Sequence, residues 1–179
     1  MQNDLSAEPH ILTCQCTIYI LYHIFHENII LNNKTYENSL ISHHSRVVGF
    51  TLTFYKYPIS NLKLQKLLYF IQAYFLVEVG KPCFSDVIEA WDYCPIVPSV
   101  YKEYRVYGSS NIPCTDDGSE FRYIKDDDYD SLNRILAEVS KNTESQLTYI
   151  TRNQLPWINA RKSVTNRITN KAIADYFKE

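Results

Sequence analysis

Five cysteines and five histidines are the residues with which this chain could hold a metal or raise a nucleophile. Cys14-Gln-Cys16 lies near His10, His23 and His26 in sequence. The spacing is CxC, not CxxC, and no second cysteine pair accompanies it, so the group reads as chance in a biased segment and no metal site is expected. All five histidines, at positions 10, 23, 26, 43 and 44, precede residue 50. Cys83, Cys94 and Cys114 therefore have no imidazole beyond that point to act as their base, and each reads as a small apolar filler. An odd, scattered set gives no disulfide framework and suits a reducing, cytoplasmic setting. The acidic run from Asp116 to Asp130 lacks the loop spacing of a calcium site. Asp126, Asp127 and Asp128 already have work as caps of the helix that follows. Four glycines leave little material for a phosphate-cradling loop. No catalytic residue, no cofactor and no enzymatic activity are expected.

The remaining chemistry is that of contact. Arg152, Arg161, Lys162, Arg167 and Lys171 make the C-terminal part mildly basic, whereas the stretch 116–138 is acidic. Five cations could meet phosphates, form a solvated face, or complement the acidic stretch. With a formal net charge of -2, such a split surface points more naturally to a protein partner. Nucleic acid held by the basic C-terminal face is the alternative. Aromatic residues reach 14%, with fifteen tyrosines. Tyr101, Tyr104 and Tyr107 are spaced to occupy neighbouring turns of one helix, close in sequence to Trp91 and Tyr93. Such residues pack cores, and when exposed they are enriched at binding hot spots. Trp91, Tyr93, Pro95, Tyr101 and Trp157 are therefore assigned to a partner surface, with core packing as the competing role for the two tryptophans.

The elements that must position these residues become orderly only after residue 57. In the first fifty residues only Asp4, Glu8, Glu27, Lys34, Glu37 and Arg46 are charged, and no steady period or cap is visible. Residues 1–54 read as an atypical N-terminal extension: a genuine one, a disordered one, or the product of a mis-called start or a frameshift. The apolar run from Ile11 to Phe25 is too short and too polar to span a bilayer, and no basic residue precedes it as in a signal peptide. From Ser60, a good N-cap, Leu62, Leu64, Leu67, Leu68, Ile71, Tyr74 and Phe75 predict a helix over 61–79. Lys63, Gln65, Lys66 and Gln72 fill its other side, and Gly80 ends it. Residues 86–97 predict an extended or hairpin segment, since Pro95 and Pro98 prevent a helix. A helix opens at Pro98 and closes at Gly108, and a polar loop spans 109–118. A short strand is expected at Glu120–Ile124. A helix follows Asp126–Asp128, with Tyr129, Leu132, Ile135, Leu136 and Val139 as its apolar stripe. A shorter helix covers about 145–150, then a loop carries Pro156 and Trp157. The last helix starts near Thr169 and buries Ile173, Tyr176 and Phe177.

Three stretches, in order, resemble the Panacea antitoxin domain of SocA-like and phage-associated proteins. SNLKLQKLLYFIQAYFL (60–76) is similar to its opening helix. IEAWDYCPIVPSVYKEYRVYG (88–108) is similar to an AW-x-(Y/F)-GP-V-x-P-x-(V/L)-Y segment, and LTYITRNQLPWINAR (147–161) to a Thr-His element followed by Pro-Trp. IADYF (173–177) fits the closing helix. The resemblance covers roughly 55–179 and implies a mainly α, compact single helical domain with a small β-hairpin. It further implies an antitoxin that neutralises a cognate toxin by direct contact in a toxin–antitoxin system, in one branch as an adaptor that hands the toxin to a cytoplasmic protease. It implies no cofactor, and from the apolar run alone no membrane partner is expected. Two positions depart from the pattern. Cys94 replaces a Gly, which would strain a left-handed backbone if that Gly requires one. Arg152 replaces the His, which removes any role for a neutral imidazole there.

Overall fold

In this computed structural model, residues 44–54, 59–113 and 126–178 are described. The Cys14–Cys16 group with its histidines, Cys114 and the strand expected at 120–124 lie outside them. Helices dominate: α1 (His44–Phe54), α2 (Asn61–Tyr74), α3 (Pro98–Tyr104), α4 (Asp126–Val139), α5 (Glu144–Arg152), α6 (Leu155–Arg161) and α7 (Asn170–Lys178). Two small antiparallel sheets join them. β1 (Ile59–Ser60) pairs with β4 (Asn111–Ile112), and β2 (Ile88–Ala90) stands between β3 (Pro95–Ile96) and β5 (Arg167–Ile168).

α2 is the axis of the fold. Ser60 caps it, its hydroxyl accepting from the Lys63 N–H at 3.0 Å. A π-helical turn, Phe75–Val79, extends α2, and Gly80 ends it with a left-handed φ of 75° that a glycine adopts without steric cost. Every residue from Leu64 to Phe75 is buried. α1, α3, α4, α5, α7 and β3 all pack against this helix. The expected polar face of α2 is therefore corrected: Gln65, Lys66 and Gln72 are interior, at 0, 1 and 0% exposure. A buried polar group must find a partner or destabilise the fold, and each has one. Gln65 accepts from the Val97 N–H at 2.8 Å and donates to Asn61 at 2.9 Å. Asn61 in turn donates to the Tyr101 carbonyl at 3.1 Å. Gln72 accepts from the Cys83 and Phe84 N–H groups and donates to the Phe84 carbonyl and to Asn170 Oδ1, all within 3.2 Å. Those four bonds exhaust its amide. Lys66 donates to the Leu62 carbonyl at 3.1 Å and faces Glu144 at 3.6 Å, while the Ser60 hydroxyl donates to the same carboxylate.

The other elements obey local rules. Asp127 and Asp128 lie in the first turn of α4, where carboxylates suit the positive helix end. Asp128 is buried and pairs with Lys81 at 3.2 Å. Leu132, Ile135, Leu136 and Val139 are buried, whereas Tyr129 is exposed and meets Phe50 of α1 edge-on at 5.1 Å. Thr143 and Gln146 form a capping box on α5. Val47, Val48, Phe50 and Leu52 bring α1 into the core. Ile173 and Phe177 of α7 are buried, and Tyr176 is half-buried against them. Among the described residues, no helix is long and apolar enough to cross a membrane.

Candidate functional site

The hairpin of β2 and β3 turns at Trp91-Asp-Tyr-Cys94, with the Trp91 N–H donating to the Cys94 carbonyl at 3.2 Å. Ala90 pairs with Pro95 in register. Pro95 lacks an N–H and sits in the edge strand β3, where a proline interrupts no inner ladder. It is buried, so its place is beneath the turn and not on its surface. Cys94 is also buried, and its φ is not positive. No left-handed strain arises at this position. Desolvation, opposed by Lys66 and aided by Glu144, pushes the Cys94 thiol up to about 11. A thiol so protonated is a poor nucleophile.

The turn holds two aromatic rings in the open. Trp91 is 38% exposed and Tyr93 70%. Trp91 is braced from below: its ring meets Tyr101 of α3 edge-on at 5.1 Å, and its indole N–H donates to Glu89 at 2.8 Å. Tyr101 is half-buried and owes its place to the Gln65–Asn61 relay, which holds both ends of the first turn of α3.

α6 supports the hairpin from the other side. A loop was expected around Pro156 and Trp157, and that expectation is corrected: Leu155–Arg161 is a helix with Pro156 in its first turn. The absent proline N–H would have had no helical partner there, so proline is tolerated. Gln154, the residue before the helix, is buried and accepts from the Tyr69 hydroxyl at 2.8 Å, which ties α6 to α2. Trp157 is half-buried, and its indole N–H donates to the Trp91 carbonyl at 3.2 Å. Arg161 donates to the Ala90 carbonyl at 3.1 Å and to Asp92 at 2.6 Å. The guanidiniums of Arg152 and Arg161 lie over the Trp157 ring at 5.4 and 5.9 Å.

The structure thus gathers Trp91, Tyr101 and Trp157 around one hairpin, with Tyr93 beside them at its turn. The Arg161 lock on that hairpin is not visible from sequence patterning, since its two partners are some seventy residues away and one of them is a backbone carbonyl. Tyr104 and Tyr107 are half-buried against the core. The basic C-terminal set is divided: Arg161 pairs with Asp92 and Lys171 with Asp175. Among the described residues, no three His, Cys, Asp or Glu side chains form a group that could hold a metal ion.

The helical scaffold thus presents two aromatic rings on a braced turn. Comparison with known proteins places it. The family described as "Antitoxin SocA-like, Panacea domain" matches residues 64–158. Antitoxin SocA of Caulobacter vibrioides (strain NA1000 / CB15N) is 34% identical over 137 residues, covering 68% of this chain and 73% of the relative. No solved structure matches. The chain belongs to the SocA-like Panacea antitoxin family. The matched stretch includes the hairpin, α3, α5 and the first half of α6, and so every residue assigned above to the partner surface.

Proposed function

We propose that this chain is a cytoplasmic, non-enzymatic antitoxin that neutralises a cognate toxin by direct contact. The contact face is the hairpin turn with Trp91 and Tyr93, backed by Tyr101 and Trp157, with Pro95 stiffening the strand beneath. The observation that carries the reading is Tyr93. It is 70% exposed at a turn fixed on both sides by Arg161 and Tyr101, so a large amphipathic side chain is held out to solvent at small entropic cost. Tyrosine and tryptophan presented in this way are the residue types that dominate protein interfaces. Family membership supplies the class of partner. In the fuller form of this reading the complex is handed to a cytoplasmic protease.

The test is growth. The neighbouring reading frame is expressed alone and beside the full chain. Arrest by the neighbour and recovery with this chain are expected, and a fall in the neighbour's half-life upon co-expression identifies delivery to a protease. A harmless neighbour, or one still toxic beside the folded chain, overturns the reading.

A further inference from the structure

Two arginines lie over the Trp157 ring, and they differ in what they have left to offer. Arg161 is engaged with Asp92 and the Ala90 carbonyl. Arg152 is exposed, at the end of α5, and among the described residues its guanidinium has no hydrogen bond or ion pair. Its contact with the indole, 5.4 Å from the ring centroid, leaves its N–H donors unoccupied. A planar guanidinium with free donors matches a carboxylate, which can accept two parallel N–H bonds. Tyr149, three residues earlier on the same helix, is 60% exposed, and Leu155 at the start of α6 is 54% exposed. An apolar margin therefore borders the cation on either side in sequence.

We infer that Arg152 is the anchor for an aspartate or glutamate side chain on an acidic segment of the partner protein, with an apolar neighbour of that carboxylate meeting Tyr149 and Leu155. The inference rests on the toxin-contact reading and names the chemistry of the segment it takes. Charge complementarity supports an acidic protein segment: around Trp157 two cations face one acid, Asp92, which leaves an uncompensated positive charge. A nucleic acid fits less well, because a run of phosphates needs several free cations, and Arg161 is already engaged with Asp92.

Binding of the purified product of the neighbouring reading frame to the full chain tests this by calorimetry. Arg152→Gln is expected to weaken binding about 10–100-fold and Arg152→Glu further, with unfolding midpoints unmoved because the side chain is exposed. Arg152→Lys recovers only part, since it keeps the charge but not the fork. Raising NaCl from about 50 to about 300 mM weakens the wild-type complex more than the Arg152→Gln complex. Exchange of one acidic residue of the neighbour product for Lys restores binding to Arg152→Glu. Binding of Arg152→Gln and Arg152→Glu within about twofold of wild type overturns the inference and leaves the antitoxin reading in place. So does an Arg152 dependence seen only with a short DNA duplex at low salt. Failure of the wild type both to bind and to restore growth removes the two together.

Discussion

The interior of α2 and the surface of the hairpin invert the usual placement of side chains. On α2, Asn61, Gln65, Lys66 and Gln72 are buried. At the hairpin, Trp91 and Tyr93 are exposed. The two inversions have different physical meanings. The buried amides meet the backbone at three places: the loop at Cys83–Phe84, the start of α3 at Val97 and the end of its first turn at Tyr101. They fix where irregular chain lies, and so determine where the hairpin and α3 sit. The exposed rings satisfy nothing internal in the case of Tyr93, and they are what the fixed scaffold displays.

If the buried amides are scaffold, their loss must be felt as stability. Gln72→Leu leaves two N–H groups, the Phe84 carbonyl and Asn170 without their partner, and is expected to cost more than about 3 kcal/mol in urea denaturation. A loss below about 1 kcal/mol would break the contrast between the two regions.

The second expectation concerns alkali. An unfolded Cys94 thiol ionises near 9.0, whereas the folded one is pushed up to about 11. Below pH 9 both states keep the proton and stability is whole. As pH rises from about 9 to about 11 the unfolded state ionises first, so stability falls, by about 2 kcal/mol from this group. Burial raises Tyr69 and Cys83 as well, with the same sign. Cys94→Ala should remove only its own share of the alkaline slope, and an unchanged slope would place the thiol in contact with water.

The smallest stability effect is expected at the surface. Tyr93→Ala should shift unfolding by no more than about 0.5 kcal/mol, the range of exposed positions free of special contacts.

Much of this contrast was legible in the sequence, and the reasons differ by region. The Ser60 cap, the apolar run and Gly80 fixed the ends of α2 and its extension, because caps and periodicity are local. The hairpin followed from Pro95 and Pro98. The polar side of α2 gives no sign of its burial in the sequence, because a helix buried all round by short irregular segments leaves the same pattern as an amphipathic one until the segments are placed. The loop expected around Pro156 misses α6, although a proline in the first turn of a helix repeats the logic of Pro98. β5 is two residues long and exists only through its pairing with β2, so no period announces it. Trp91, Tyr93, Tyr101 and Trp157 were named from residue type and resemblance. Their grouping depends on Arg161, Gln154 and Tyr69, which act across long separations in sequence.

The most direct test of the account sets binding and unfolding side by side for Tyr93→Ala in the full chain, with the product of the neighbouring reading frame as ligand. The account predicts a loss of about 2 kcal/mol or more in binding with an unfolding midpoint like that of wild type. Unchanged affinity, or a loss that only follows unfolding, would contradict the assignment of the hairpin turn as the docking face.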